Sequence, residues 1–102
     1  MKPLDRIKRI YALRGVGASA KSVLHCLAYH ADTRDKCFPS VPLIARETAL
    51  STRTVRRVLI GLSKAGLLAV LPRDHRSNLY ILALPPVTVS VPPATVSPIT
   101  VQ

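Results

Sequence analysis

Residues 40–59, SVPLIARETALSTRTVRRVL, constrain this chain more than any other stretch. Ser40 and Ser51 each head a run of apolar residues at helical spacing. Each can accept one of the backbone N–H groups that a helix leaves free in its first turn. Pro42 falls in the first turn after Ser40, where its missing donor does no harm. Val41, Ile44, Ala45 and Thr48 share one face of that first helix. The second helix runs to Ala65 and stops at Gly66, with Lys64 in its last turn. Only Ala49-Leu50-Ser51 separates the two, so they must cross steeply, and a steep crossing needs a small residue at the contact. Ala45 supplies it, Leu50 fills the angle, and Ile44, Val55 and Val58 close the core. Ala49 stands where such a turn usually carries glycine; a residue with a Cβ held there at positive φ costs about 1 kcal/mol.

Set on a wheel at ~100° per residue, the second helix buries Val55, Val58, Leu59 and Leu62 on one face. Arg53 and Arg57 point the opposite way, with Arg56 and Ile60 on one flank, and Thr52 and Thr54 lie near its start. This is the pattern of a helix-turn-helix, whose second helix enters the DNA major groove by its N-terminal residues. Ser51, Thr52, Arg53, Thr54, Arg56 and Arg57 are the side chains able to reach. Arginine presents a planar fork that matches O6 and N7 of guanine, and Ser or Thr can touch phosphate or a thymine methyl. The plain alternative is a helical hairpin with solvated arginines.

Charge supports the DNA reading. The 102 residues carry 15 Lys plus Arg against 5 Asp plus Glu, a net +10, and every one of these charges precedes Leu84. Such a chain attracts polyanions. No apolar run approaches the ~20 residues that span a bilayer. The opening Met1-Lys2-Pro3-Leu4-Asp5-Arg6 lacks the apolar core of a secretion signal, and two cysteines make no disulfide framework, so the expected compartment is the cytoplasm, with no membrane partner.

Upstream, Leu4, Ile7, Ile10, Tyr11 and Arg14 give residues 4–14 the stripe of a helix, broken by Gly15 and Gly17. Its basic residues Arg6, Lys8, Arg9 and Arg14 read as a solvated outer face. Extra phosphate contacts, or a homodimer contact through Leu4, Ile7, Ile10 and Tyr11, are the alternatives. Residues 18–31 form another helix, with Ser19 as its cap and Val23, Leu24, Leu27, Ala28 and Ala31 as its stripe. Cys37-Phe38 is held extended by Pro39 and joins a small sheet. Residues 67–71 and 79–84 are strands joined by a basic loop that holds Arg73 and Arg76. The expected organisation is a structured domain over 1–84 and a disordered Pro/Val/Thr-rich tail over 85–102, uncharged and with five prolines.

Taken in order, Lys21-Ser-Val-Leu-His-Cys-Leu-Ala-Tyr-His-Ala-Asp, Cys37-Phe-Pro-Ser, Leu50-Ser-Thr-Arg-Thr-Val-Arg-Arg, Leu62-Ser-Lys-Ala-Gly-Leu-Leu, and Arg73 followed by Arg76-Ser-Asn-Leu-Tyr-Ile-Leu resemble a known family. It comprises the winged helix-turn-helix domains of plasmid and phage replication proteins and related bacterial regulators. The resemblance covers about residues 18–84. It implies a mainly α fold with a small β-wing (α+β) and DNA binding through Ser51 to Arg57. It also implies a wing at Arg73 to Asn78 that touches backbone or minor groove, in transcriptional regulation or replication initiation. Val41 and Leu43 depart from positions often polar in the family.

Other chemistries have less to stand on. His25, Cys26, His30 and Cys37 could gather zinc, but no C-x-x-C or H-x-x-x-H pair frames them, and no metal or other cofactor is expected. No nucleophile motif or glycine-rich phosphate loop is present, so no enzymatic role is expected. A protein-interaction module on the same scaffold is the rival function. RNA binding lacks the stacking aromatics it needs, with one Phe, three Tyr and no Trp.

Overall fold

The structure, a computed structural model, describes residues 3–86. Four helices and three strands follow one another as α1 (Pro3–Ala12), α2 (Ala18–His30), β1 (Lys36–Cys37), α3 (Val41–Thr48), α4 (Thr52–Lys64), β2 (Leu68–Leu71) and β3 (Leu79–Leu82). The strands form one antiparallel sheet in the order β1-β3-β2. Leu68 lies opposite Leu82 and Val70 opposite Tyr80, while Cys37 pairs with Tyr80 from the other side. Helices α2, α3 and α4 pack on one another, and β2 continues from α4. This is the mainly α, winged helix-turn-helix architecture that the sequence implies.

Burial explains why the helices sit as they do. Val23, Leu24 and Leu27 of α2 are fully enclosed and meet Ile44 of α3 and Val55 of α4. Leu68, Tyr80, Leu82 and Leu84 close the core from the sheet. A buried aliphatic side chain of this size contributes about 1.5–3 kcal/mol, so α2 is the post against which the other elements stand. Val41, Leu50 and Val58 are only partly buried and pack against the edge of this core.

Local chemistry sets the ends of α3 and α4. Ser40 Oγ accepts from Leu43 N at 3.2 Å, and Ser51 Oγ accepts from Thr54 N at 3.1 Å. Ala49 adopts φ 60°, ψ 30°, the left-handed conformation the turn requires of it. Helix α4 ends with Leu67 N bonded to Leu62 O and Gly66 N to Ser63 O, around Gly66 at φ 77°. That pairing satisfies the carbonyls the helix would otherwise leave open.

Two upstream expectations need correction. Helix α2 starts at Ala18 with Gly17 as its cap residue and no side-chain cap bond; Ser19 already lies within the first turn, past the position from which an oxygen reaches the free N–H groups. Helix α1 buries Arg6 and Ile10, whereas Leu4, Ile7 and Tyr11 stay exposed. Arg6, expected on a solvated face, is 2% exposed. Its Nε donates to Asp35 Oδ1 at 2.9 Å, Nη1 donates to Ala31 O at 3.4 Å, and Nη2 donates to Asp32 O. A guanidinium can enter a core when its fork is filled this way, and a count of apolar residues overlooks that. Arg9 is half-buried and ties α1 to the end of the sheet through Leu84 O at 3.1 Å. Lys8 and Arg14 are exposed as expected. The tail expected over 85–102 lies, from residue 87 on, outside the described residues.

Candidate nucleic-acid interface

Helix α4 divides its side chains as the wheel required. Val55, Leu59 and Leu62 are buried, while Thr52, Arg53, Arg56 and Arg57 are exposed. Ser51 is exposed but occupied: besides capping, its hydroxyl donates to Thr54 Oγ1 at 3.0 Å. Thr54 is half-buried by the same pairing. These two hydroxyls therefore build the start of the helix and leave its remaining N–H groups facing outward, with the partial positive charge of the helix end behind them.

These arginines have no counter-ions among the described residues. Among the described residues, Arg6 is the sole Lys or Arg within 4.0 Å of a carboxylate; the other close pair is His30 with Glu47. Arg53, Arg56 and Arg57 make no hydrogen bond or ion pair with any described residue, so their charge is directed into solvent. Arg56 differs from its neighbours in direction. With Leu59, Ile60 and Lys64 it lines one wall of a groove of about 460 Å³, and Val70, Asn78 and Tyr80 of the wing line the other. Arg53 and Arg57 do not line it.

The wing sorts its own arginines in the same way. Arg76 is exposed at the turn between β2 and β3. Arg73, expected to be its equivalent, folds back: Nε donates to Ser77 O at 2.7 Å, and the guanidinium lies 4.8 Å from the centre of the Phe38 ring. Arg73 thus closes the turn and fastens it to the end of β1, with part of its fork still accessible. Phe38 was legible only as part of a strand, and its role as the platform under Arg73 depends on β1 pairing with β3. That it is the single phenylalanine in a chain with few aromatic residues was the one signal that could have drawn attention to it.

A family model described as a helix-turn-helix domain matches residues 17–68. The chain belongs to that helix-turn-helix family. No curated protein and no solved structure matches it significantly. The matched span of the helix-turn-helix domain runs from the cap of α2 into β2 and contains the whole of α3, the turn and α4. Helix α1 and the turn bearing Arg73 and Arg76 lie outside it, so the wing arginines rest on geometry and charge. Membership in the family points to DNA as the partner. Among the described residues, no helix is long and apolar enough to cross a membrane.

Proposed function

We propose that this helix-turn-helix domain binds double-stranded DNA sequence-specifically, with the start of α4 in the major groove and the wing against the backbone or minor groove. The observation that carries the reading is the outward face of α4, where Arg53, Arg56 and Arg57 stand exposed, without counter-ions among the described residues, opposite the buried Val55, Leu59 and Leu62. Arg53 and Arg57 read guanine edges with their forks, and Thr52 meets phosphate or a thymine methyl. Arg56, on the groove side, and Arg76, at the wing tip, neutralise phosphates. Ser51 and Thr54 hold the helix end whose free N–H groups favour a phosphate, and Arg73 presents the wing. The process served is transcriptional control or replication initiation, as the family resemblance suggests.

The test begins with selection from random duplexes, followed by binding of the selected and a scrambled duplex across a salt series. About five phosphate contacts give a log–log slope of about −4 to −5. Arg53→Ala and Arg57→Ala are expected to narrow the gap between selected and scrambled DNA by about 1–3 kcal/mol each. If both variants kept the parent's ratio, α4 would not be the reading helix. Whether the selected site occurs at promoters or at an origin distinguishes the two processes. Two half-sites about one helical turn apart would indicate a dimer.

A second reading has one observation in its favour. Leu4, Tyr11 and Tyr29 are 60%, 71% and 81% exposed on α1 and α2, and α1 packs on α2 rather than on α3 or α4. An apolar surface away from the reading helix suits contact with protein, another copy of the chain included, alongside DNA.

A further inference from the structure

The crossing of α2 and α3 gathers three side chains that DNA binding leaves unused. Cys26 and His30 stand one turn apart on α2, and Glu47 lies in the last turn of α3. Glu47 Oε1 is 3.4 Å from Cys26 Sγ and 2.6 Å from His30 Nε2, and the three donor atoms all fall within 4.8 Å of one another. Cys26 is buried, yet it lines an open cavity of about 600 Å³ together with Ser22, His25, Tyr29, Glu47 and Thr48. Solvent and ions therefore reach the cluster.

We propose that Cys26, His30 and Glu47 form a binding site for a divalent transition metal, zinc in preference, with water as the fourth ligand. The donor set selects the class of ion. A thiolate, an imidazole and a carboxylate suit zinc, whereas calcium and magnesium require a shell of oxygens that one carboxylate does not provide. Two of the three distances need adjustment. Zinc bonds of about 2.0–2.3 Å in a tetrahedron set donor atoms about 3.3–3.8 Å apart. The Cys26–Glu47 distance already lies in that range. Cys26 and His30, whose donor atoms lie within 4.8 Å of each other, must close by up to about 1 Å. The His30–Glu47 distance is that of a hydrogen bond and must open by about 0.7 Å. Both side chains have room to move, being 25% and 37% exposed.

Binding replaces protons with the metal: the Cys26 thiol releases its proton to solvent, and His30 coordinates in its neutral form. In the metal-free protein, burial first and then the hydrogen bond to Glu47 push the Cys26 thiol up to about 12. With a cation bound, the carboxylate that opposed the thiolate becomes its fellow ligand. Cys37, the other cysteine, faces the core from β1 and has no place in the site. A metal here would lock α2 to α3 within two residues of Ala49, the turn that aims α4.

The test uses the whole chain, stripped with a chelator, then titrated with cobalt(II) as a spectroscopic probe and with zinc(II) in competition. One equivalent of cobalt is expected to give a thiolate charge-transfer band and four-coordinate ligand-field bands, displaced by zinc. One proton should be released from the Cys26 thiol, and the melting temperature should rise with zinc. Cys26→Ser should abolish the charge-transfer band, and His30→Gln and Glu47→Gln should each weaken binding by more than about 100-fold, beyond what loss of a supporting residue does. Cys37→Ser and His25→Gln should bind as the parent does. Absence of the band in the parent chain, its survival in Cys26→Ser, or its loss in Cys37→Ser would each overturn the assignment. Because the parent chain alone can give the first of these results, the proposal stays testable even if a variant folds poorly.

Discussion

At the scale of single residues, two positions store or release free energy in ways that can be measured. Ala49 holds a left-handed conformation, φ 60°, against the preference of any residue with a Cβ. Replacing it with glycine removes that strain but adds freedom to the unfolded chain. Since the left-handed penalty of about 1–2 kcal/mol exceeds the glycine entropy cost, Ala49→Gly is expected to stabilise the fold by about 0.5–1 kcal/mol. A shift of the urea midpoint to higher concentration with unchanged slope checks it. Arg6 is the reverse case. Its guanidinium fills three acceptors around the loop after α2, and its removal leaves Asp35 and two carbonyls short of donors. Arg6→Ala is expected to cost about 3 kcal/mol. Arg6→Lys should recover little, because an ammonium cannot address all three acceptors; both changes are read by urea unfolding. Near the start of α4, the outward direction of Arg53 and Arg57 was legible from spacing alone, since it follows from 3.6 residues per turn.

At the scale of elements, the wing is where the sequence and the fold part. Basic residues between two apolar runs announced a charged hairpin loop, and it exists. What the run of letters did not distinguish is that Arg76 projects while Arg73 is tied to Ser77 and Phe38. That difference predicts separable effects in a salt series on DNA. Arg76→Ala should weaken binding to every duplex and reduce the salt slope by about one, because a phosphate contact is lost. Phe38→Ala removes no charge, so its salt slope should stay at the parent value while affinity falls severalfold, as a loosened wing loses about 0.5–1 kcal/mol of cation–π support. An Arg73→Ala variant that matched Phe38→Ala in slope would show that Arg73 acts through the wing's shape alone. Helices α3 and α4 were read almost to the residue because serine caps, a proline in the first turn and a terminal glycine are local signals. The cap of α2 was not, since Gly17 serves there without any side chain.

At the scale of the whole molecule, charge governs behaviour in salt and acid. The net charge of +10 makes association with DNA steeply salt-dependent, as the proposed function requires. Acid stability follows from two carboxylates. The backbone N–H groups of Lys36 and Arg34 hold Asp32 below its usual 3.8, and the hydrogen bond from His30, then that from Cys26, holds Glu47 below its usual 4.5. A depressed carboxylate stabilises the fold fully above its ordinary value, and that stability is lost as pH falls through the folded value. Melting temperature measured in chelator is therefore expected to fall as pH drops below about 4, and the fall should be shallower in Asp32→Asn. Cys37 is shut in the core, where burial pushes its thiol up to about 12. It should resist alkylation at neutral pH until the domain is unfolded.

By itself the sequence determined everything that repeats along one helix or follows from one turn. The two capped helices, their three-residue turn with a strained Ala49, the inward valines and leucines and the outward arginines are all local consequences of backbone geometry. Tertiary structure alone decided which charges turn inward. Arg6 went into the core because a loop 25–29 residues away offered it acceptors, and Arg73 turned back because Phe38, just after β1, lies beneath it. It also brought Glu47 to Cys26 and His30 across a helix crossing, where no spacing in either helix could reveal it. In each case the deciding partner is remote in the chain, and the energy of burying or redirecting a charge depends on that partner rather than on the residue's own neighbours.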